Sequence, residues 1–135
     1  MVAVLEVNDK MLSENFSELE FVCKCGECLF DVWVDPVFIK KLQTIRTMIG
    51  ISMPINSGAR CEAHNKKVGG HPNSAHLITP LKKCQAADIS TLAMSSKEKR
   101  VLIRLALANG MNGVGISSRF IHLDTKKREA LWTYV

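Results

Sequence analysis

The middle of the chain contains a long segment in which apolar residues do not recur at regular intervals. This segment limits the folds that the rest of the chain can form. Residues 61–83 are rich in Gly, Pro, Asn, His and Lys, a composition typical of irregular backbone with at most brief helix. A loop of this length is uncommon inside a compact domain and more often carries function than not. We therefore expect the flanking segments to build the core and the loop to carry functional side chains.

Regular elements are predicted before this loop. The segment that begins at Pro36 has apolar residues every three or four positions until Gly50, which indicates a helix. The following "ISMPINSGARC" reads as a strand that runs into a turn, and Pro54 favours a strand start or a sheet edge. Upstream, "LSENFSELEF" predicts a short capped turn, and "VCKCGECLFDVWVD" predicts a cysteine-bearing loop that leads into an extended piece.

A second helix and several short strands are predicted after the loop. Ser95 and Glu98 form a capping box at the start of "SKEKRVLIRLALANG", and Gly110 ends that helix. Strand patterns occur in "QAADIST", "GVGIS", "FIHLDT" and "LWTYV". This order of elements predicts an α+β fold, with a small, mostly antiparallel sheet and flanking helices.

Size and charge limit the class of protein. The 135 residues, 47% of them hydrophobic, suit a single domain over residues 1–135. No apolar run approaches the roughly 20 residues of a membrane span, and the N-terminus lacks a secretory pattern, so we expect synthesis in the cytoplasm.

The net charge of +5 favours polyanionic partners. The cations are scattered without interleaved aromatic residues, however, which argues against nucleic acid as a partner.

Two histidines and an aspartate are candidates for a zinc site. His76 ends the loop, Asp88 begins a strand, and His122 lies within "FIHLD". A hydrolytic zinc takes three such ligands and leaves a fourth position open. Alternation along the last of these strands puts His122 and Asp124 on one face. The alternatives are that His122 is a hydrogen-bonded structural residue and that Asp88 is a strand-end carboxylate bound to backbone amides.

Several blocks of the sequence resemble a known family. "INSGARCEAHNKKVGGHPNSAHL", "AADIS" and "GVGISSRFIHLDTKKREALWTY" occur in this order. Together they resemble the zinc D-alanyl-D-alanine carboxypeptidase family, the peptidoglycan peptidases that share a fold with the hedgehog signalling domain. The resemblance extends upstream to "NFSELEFVCKCGECLF", so it covers nearly the entire chain.

The resemblance implies roles for particular residues. In that family one zinc is bound by a histidine in an "NS-x-H" block, an aspartate in an "A-x-D" block and a late histidine, which implies His76, Asp88 and His122 here. The arginine of the "SG-x-R" block corresponds to Arg60, which is implied to bind or polarise the substrate near the scissile peptide.

The position of the general base differs from that in many relatives. In those relatives the base is an acidic residue three positions before the last zinc histidine. That position holds Arg119 here. Asp124 is then the preferred base, and the alternative is that Asp124 orients a zinc ligand. Ser74 and His71 lie in the loop and are candidates for contact with substrate.

The spacing between the first two ligands also departs from the family. Relatives usually have six residues there, whereas this chain has the eleven residues "LITPLKKCQAA". Because the cost of loop closure grows slowly with length, we expect the insertion, Ile78–Gln85, to bulge outward with Pro80 exposed. It could instead narrow the cleft, and Cys84 within it is expected to be a bystander.

The five cysteines allow more than one arrangement. An odd number leaves at least one thiol unpaired in a monomer unless a metal takes it. With the family likeness, Cys23, Cys25, Cys28 and Cys61 could form a second, structural zinc site, one or two disulfides, or plain buried thiols.

The leading hypothesis is a monomeric zinc metallopeptidase that cleaves peptidoglycan stem or cross-link peptides, as a D-Ala-D-Ala carboxypeptidase or an endopeptidase. Without a wall-binding domain, it resembles a phage lysis or tail enzyme that acts on the cell wall, and wall recycling is the alternative setting. A second hypothesis is a hydrolytically inactive, zinc-stabilised binding module on the same scaffold, suggested by the insertion and by Arg119 in place of an acid.

Overall fold

Five strands form one sheet in the part of the chain that the structure describes. The computed structural model describes residues 10–25, 28 and 33–134. β5 pairs with β3 in parallel, and the other three pairings are antiparallel. This α+β arrangement confirms the fold class predicted from the sequence. The strands, in the sheet order β1-β2-β4-β3-β5, are β1 Ile55–Ser57, β2 Ala86–Ser90, β4 Phe120–Asp124, β3 Gly113–Ile116 and β5 Ala130–Thr133.

The helices begin and end where their sequences predict. Asp35 caps the longest helix by accepting the N–H of Val37, and Gly50 ends it with a left-handed φ of 70°. The capping box predicted at Ser95 and Glu98 is present. Among the described residues, no helix combines the length and apolar character needed to cross a bilayer. The helices are α1 Glu18–Phe21, α2 Pro36–Ile49, α3 Glu62–Lys67 and α4 Ser96–Ala108.

The sheet has one apolar face and one polar face. Ile121 and Leu123 of β4 are buried in a cluster that also contains Leu42 of α2 and Leu102 of α4. His122 lies between them in the strand and lines a cleft on the opposite face. The alternation predicted for "FIHLD" is therefore confirmed, and the strand that completes the core also presents the polar site.

The remaining elements follow the sequence wherever the structure describes them. α1 is the short capped turn, and Pro54 directly precedes β1, which is an edge strand as expected. The loop of residues 61–83 contains only the brief helix α3. Of the predicted extended piece after the cysteines, Val34 makes a bridge to Cys84, while residues 29–32 lie outside the described residues.

Candidate metal centre

Three buried side chains converge on the polar face of the sheet. His76 comes from the loop between α3 and β2, whereas Asp88 of β2 and His122 of β4 face each other in antiparallel register. The His76 carbonyl accepts the N–H of Arg60 at 2.8 Å, which ties the loop to the residues after β1. The three side chains belong to residues that are only 2%, 7% and 5% exposed, so water contributes little to their solvation.

The distances among the three side chains fit a metal ion. His76 Nε2 lies 3.0 Å from Asp88 Oδ1 and 3.1 Å from His122 Nδ1. His122 Nδ1 in turn lies 2.9 Å from Asp88 Oδ1. In a tetrahedral zinc site with bonds of about 2.0–2.1 Å, neighbouring ligand atoms are about 3.3 Å apart. The three atoms are thus placed close to three corners of such a tetrahedron.

Each of the two histidines makes a hydrogen bond through the ring nitrogen that faces away from the other ligands. These bonds leave the lone pairs of the other two nitrogens directed at one point. His76 Nδ1 lies 2.7 Å from the Gly58 carbonyl oxygen, which can only accept, so this nitrogen donates. His122 Nε2 lies 2.7 Å from Asp124 Oδ2 and donates to that carboxylate. In neutral rings the other nitrogens then carry lone pairs, which face each other and Asp88 Oδ1. Three such acceptors repel one another unless a cation lies among them, so the donor set fits a metal ion.

The pKa values of the ligands are set by burial and by their contacts. Burial lowers the pKa of His76 and so favours the neutral ring that binds metals. Burial alone would raise the pKa of Asp88, but the His122 and His76 rings that face its carboxylate hold the pKa below its ordinary value. For His122, burial is outweighed by hydrogen bonds to Asp124 and Asp88, which raise its pKa. A proton therefore competes with a metal chiefly at His122.

Asp124 lies on the far side of the His122 ring from the three converging atoms. Its carboxylate is fully buried, and Arg128 binds it through two hydrogen bonds of 2.7 and 2.9 Å. Lys126 N–H donates to the same group at 3.0 Å. Burial alone would raise the pKa of Asp124, but hydrogen bonds from His122 and Arg128 lower it. These contacts favour the role of orienting His122, and they give no support to Asp124 as a base, which stays a prediction.

Arg60 is held beside the ligands by three different partners. Its guanidinium donates to Ser57 Oγ at 3.2 Å, to Asn65 Oδ1 at 3.2 Å and to Asp88 Oδ2 at 3.4 Å. Asn65 is itself buried and donates to the His71 carbonyl at 2.9 Å. The arginine therefore balances the charge of Asp88 on the oxygen that does not face the histidines.

A family model described as Peptidase M15 matches residues 14–124. The match covers most of the chain and includes all three converging side chains. The chain belongs to the Peptidase M15 family. M15 peptidases use zinc, so the family and the donor set agree on the metal. Membership of this family makes the protein a metallopeptidase. This class agrees with the resemblance found in the sequence. No curated protein matches the chain.

The site of this M15 peptidase opens into a cleft of about 680 Å³. Arg60, Ser74 and His71 line it together with the three candidate ligands. His71 Nδ1 accepts the N–H of Asn73 at 3.0 Å, so the neutral His71 ring carries its hydrogen on Nε2 and can donate. The cleft is also lined by the cations Lys126 and Arg128 and by the aromatic residues Phe120, Trp132 and Tyr134.

The insertion does not form a wall of this cleft. Of the described residues that line it, none belongs to Ile78–Gln85. The tip of the insertion is exposed, as expected, with Leu81 99% exposed. Its ends are packed instead: Ile78 and Cys84 are buried in the hydrophobic core. Cys84 is thus a core residue as well as a bystander to the metal centre, because the β-bridge to Val34 draws the end of the insertion inward.

Two glycines of β3 make room for the groups behind His122. A Cβ atom at Gly115 would lie 2.7 Å from the Trp132 ring, which packs 5.1 Å from the His122 ring between centroids. A Cβ atom at Gly113 would overlap the Asp124 carboxylate and lie 2.6 Å from Arg128 Nη1. The close approach of the Asp124 and Arg128 side chains to the sheet therefore requires glycine at position 113.

We expect Gly113→Ala to lower the free energy of unfolding by about 1–3 kcal/mol, because the added methyl group overpacks the Asp124 and Arg128 side chains. The measurement is denaturant unfolding of the wild-type chain, of Gly113→Ala, of Asp124→Ala and of the double variant. The cost of Gly113→Ala should shrink when Asp124 is already alanine. Strictly additive effects would contradict the contact.

Some of the site residues were not identified from the sequence. Arg128, Asn65 and Trp132 act through long-range contacts with Asp124, Arg60 and His122, and their spacing carries no local pattern. The only signal was their presence inside the blocks that resemble the peptidase family.

A second group of possible ligands lies outside the cleft. Cys23, Cys25, Cys28 and Cys61 place their sulfur atoms within 4.8 Å of one another, an arrangement compatible with metal binding. All five cysteines of the chain are thiols in this structure.

Proposed function

We propose that this M15 peptidase hydrolyses a peptide bond in the stem or cross-link peptides of peptidoglycan, with zinc held by His76, Asp88 and His122. The observation that carries the proposal is the convergence of three ligand atoms, 2.9–3.1 Å apart, whose outer partners fix their protonation. A closed structural site would use four protein ligands, whereas three leave a position open to the cleft.

The residues around the ion have separate tasks. Zinc held there would acidify a water molecule and polarise the scissile carbonyl. His76 and His122 supply neutral nitrogen ligands, and Asp88 supplies one negative charge while its second oxygen accepts from Arg60. Asp124 acts as a positioning residue, because it holds the Nε2–H tautomer of His122 and so aims Nδ1 at the ion.

Arg60, His71 and Ser74 are proposed to contact the substrate. Arg60 presents a fixed positive charge at the edge of the ligands, suited to a substrate carboxylate or to the oxygen on which negative charge develops. His71 and Ser74 lie at the same cleft, and His71 presents an exposed donor there. With Lys126 also lining the cleft, the charge favours a peptide that carries carboxylates, as peptidoglycan stems do.

We expect Arg60→Gln to lower kcat/KM by about 10–100-fold, since one charge-assisted hydrogen bond contributes about 1.5–3 kcal/mol. Zinc content should stay unchanged, because the three ligands are retained. The matched control is Arg119→Gln, which neutralises an exposed arginine outside the cleft-lining residues and should keep wild-type kinetics. Equal kinetics for Arg60→Gln and the wild type would remove Arg60 from the substrate site.

Two synthetic substrates separate the possible reactions. One is a stem peptide that ends in D-Ala-D-Ala, and the other is a cross-linked dimer without a free terminal dipeptide. Release of D-alanine from the first indicates a carboxypeptidase, and splitting of the second indicates an endopeptidase. Cleavage of neither peptide by the zinc-loaded chain would contradict the proposed substrate class.

The contacts of Asp124 favour one alternative function, an inactive zinc-stabilised binding module. Asp88 and Asp124 are the carboxylates that line the cleft among the described residues, and both are engaged by other side chains. Each of their four oxygens already has a side-chain partner. Tight binding of muropeptides without cleavage, at full zinc occupancy, would favour the module over the peptidase.

A further inference from the structure

We propose that Cys23, Cys25, Cys28 and Cys61 bind a second zinc ion in a closed structural site. This site is separate from the cleft, since the described residues that line the cleft include none of these cysteines. The proposal concerns the architecture of the chain and does not depend on the peptidase reaction.

The sulfur atoms have the spacing of a zinc site. Cys23 Sγ and Cys61 Sγ are 3.8 Å apart, and all four sulfur atoms lie within 4.8 Å of one another. Four sulfurs at about 2.3 Å from a tetrahedral zinc ion are about 3.8 Å from each other. A disulfide bond is about 2.05 Å long, so this pair is placed for a shared ion and not for a covalent bond.

Backbone amides support the thiolates that such a site requires. Cys28 N–H donates to Cys25 Sγ at 3.1 Å. Cys61 N–H donates to Cys23 Sγ, and His64 N–H donates to Cys61 Sγ, both at 3.4 Å. Hydrogen bonds of this kind orient metal ligands and stabilise their charge.

The number and type of the ligands determine what the ion does. Four thiolates fill a tetrahedral zinc site and leave no position for water or substrate, so the ion is structural and not catalytic. Thiolate ligands select zinc or iron–sulfur clusters over harder cations such as Mg²⁺.

The cysteine cluster lies between the N-terminal segment and the start of α3, so a bound ion would connect these two parts of the chain. Cys23 follows α1, whose Phe21 carbonyl accepts the N–H of Ala59 at 2.9 Å. Cys61 follows Arg60 directly and caps the start of α3. An ion shared by Cys23 and Cys61 would fasten the N-terminal segment to the backbone that carries Arg60, and so would hold one wall of the cleft.

Metal analysis of the wild-type chain and three variants tests the proposal. We expect two zinc ions in the reduced wild-type chain, one in Cys25→Ala and one in His122→Ala. The matched control is Cys84→Ala, which removes a buried cysteine outside the cluster and should keep two. With cobalt in place of zinc, thiolate-to-metal charge-transfer absorption should persist in His122→Ala and vanish in Cys25→Ala.

A second measurement on the wild-type chain covers the case in which Cys25→Ala does not fold. Alkylation of the native, metal-loaded chain should spare the four cluster cysteines, and these should react after chelation. A wild-type chain without thiolate-to-cobalt absorption, a disulfide within the cluster in protein purified under reducing conditions, or an iron–sulfur chromophore would each overturn the proposal. Failure of the peptidase reaction alone would leave these readouts unchanged, so the two proposals fail separately.

Discussion

The variant His122→Ala is expected to lose hydrolysis almost completely. It removes one of the three proposed ligands and leaves the buried carboxylate of Asp124 without its hydrogen-bond donor from the ring. Because a catalytic metal contributes several kcal/mol of transition-state stabilisation, kcat/KM should fall by about 10³-fold or more. The measurement combines peptide hydrolysis with zinc content. The zinc content should fall because the variant loses the ion that is proposed to bind in the cleft.

A histidine outside the cleft provides the control for this loss. His64 lies in α3 and does not line the cleft, so His64→Ala should retain the zinc ion held by His76, Asp88 and His122. It should also retain hydrolysis close to the wild-type rate. Undiminished activity in His122→Ala would show that the reaction does not use this metal centre.

Replacement of Asp124 distinguishes a positioning residue from a base. In Asp124→Ala the buried Nε2–H of His122 has no acceptor, so the ring is free to change tautomer and to turn its lone pair away from the ion. We expect both zinc affinity and kcat/KM to fall by about 10–100-fold. Equilibrium dialysis against a competing chelator measures the affinity, and peptide hydrolysis measures the rate.

Asp124→Asn and Arg128→Gln provide graded controls. The amide oxygen of asparagine can still accept from His122, and Arg128→Gln weakens only the support of the carboxylate. Both should therefore lose less zinc affinity than Asp124→Ala. If Asp124→Ala instead keeps full zinc affinity while its rate falls by about 10²–10⁴-fold, Asp124 is the general base.

The elements of the fold were predictable because their signals are local. The caps at Asp35 and Ser95, the glycine at position 50 and the alternation around His122 each act within a few residues. The three candidate ligands emerged from the pattern of residue types together with the family resemblance. Their convergence required the structure, because β2 and β4 are far apart in sequence.

The parts that sequence could not predict depend on long-range packing. The sequence left two roles open for Asp124, a general base or a residue that orients a zinc ligand, and it gave no sign that Arg128 would bind this carboxylate beside Gly113. The tip of the insertion bulges outward as expected, but the sequence did not predict that its ends join the core through Cys84 and Ile78. Both outcomes rest on contacts whose partners no local pattern identifies.

The most direct test is digestion of purified peptidoglycan by the zinc-loaded wild-type chain, followed by mass spectrometry of the fragments. His76→Ala is the matched control, because it removes one ligand of the cleft and leaves the four cysteines in place. We expect fragments whose masses correspond to cleavage of a stem or cross-link peptide bond with the wild type, and intact material with His76→Ala. Intact peptidoglycan after incubation with a wild-type chain shown to be fully loaded with zinc would contradict the assignment as a peptidoglycan peptidase.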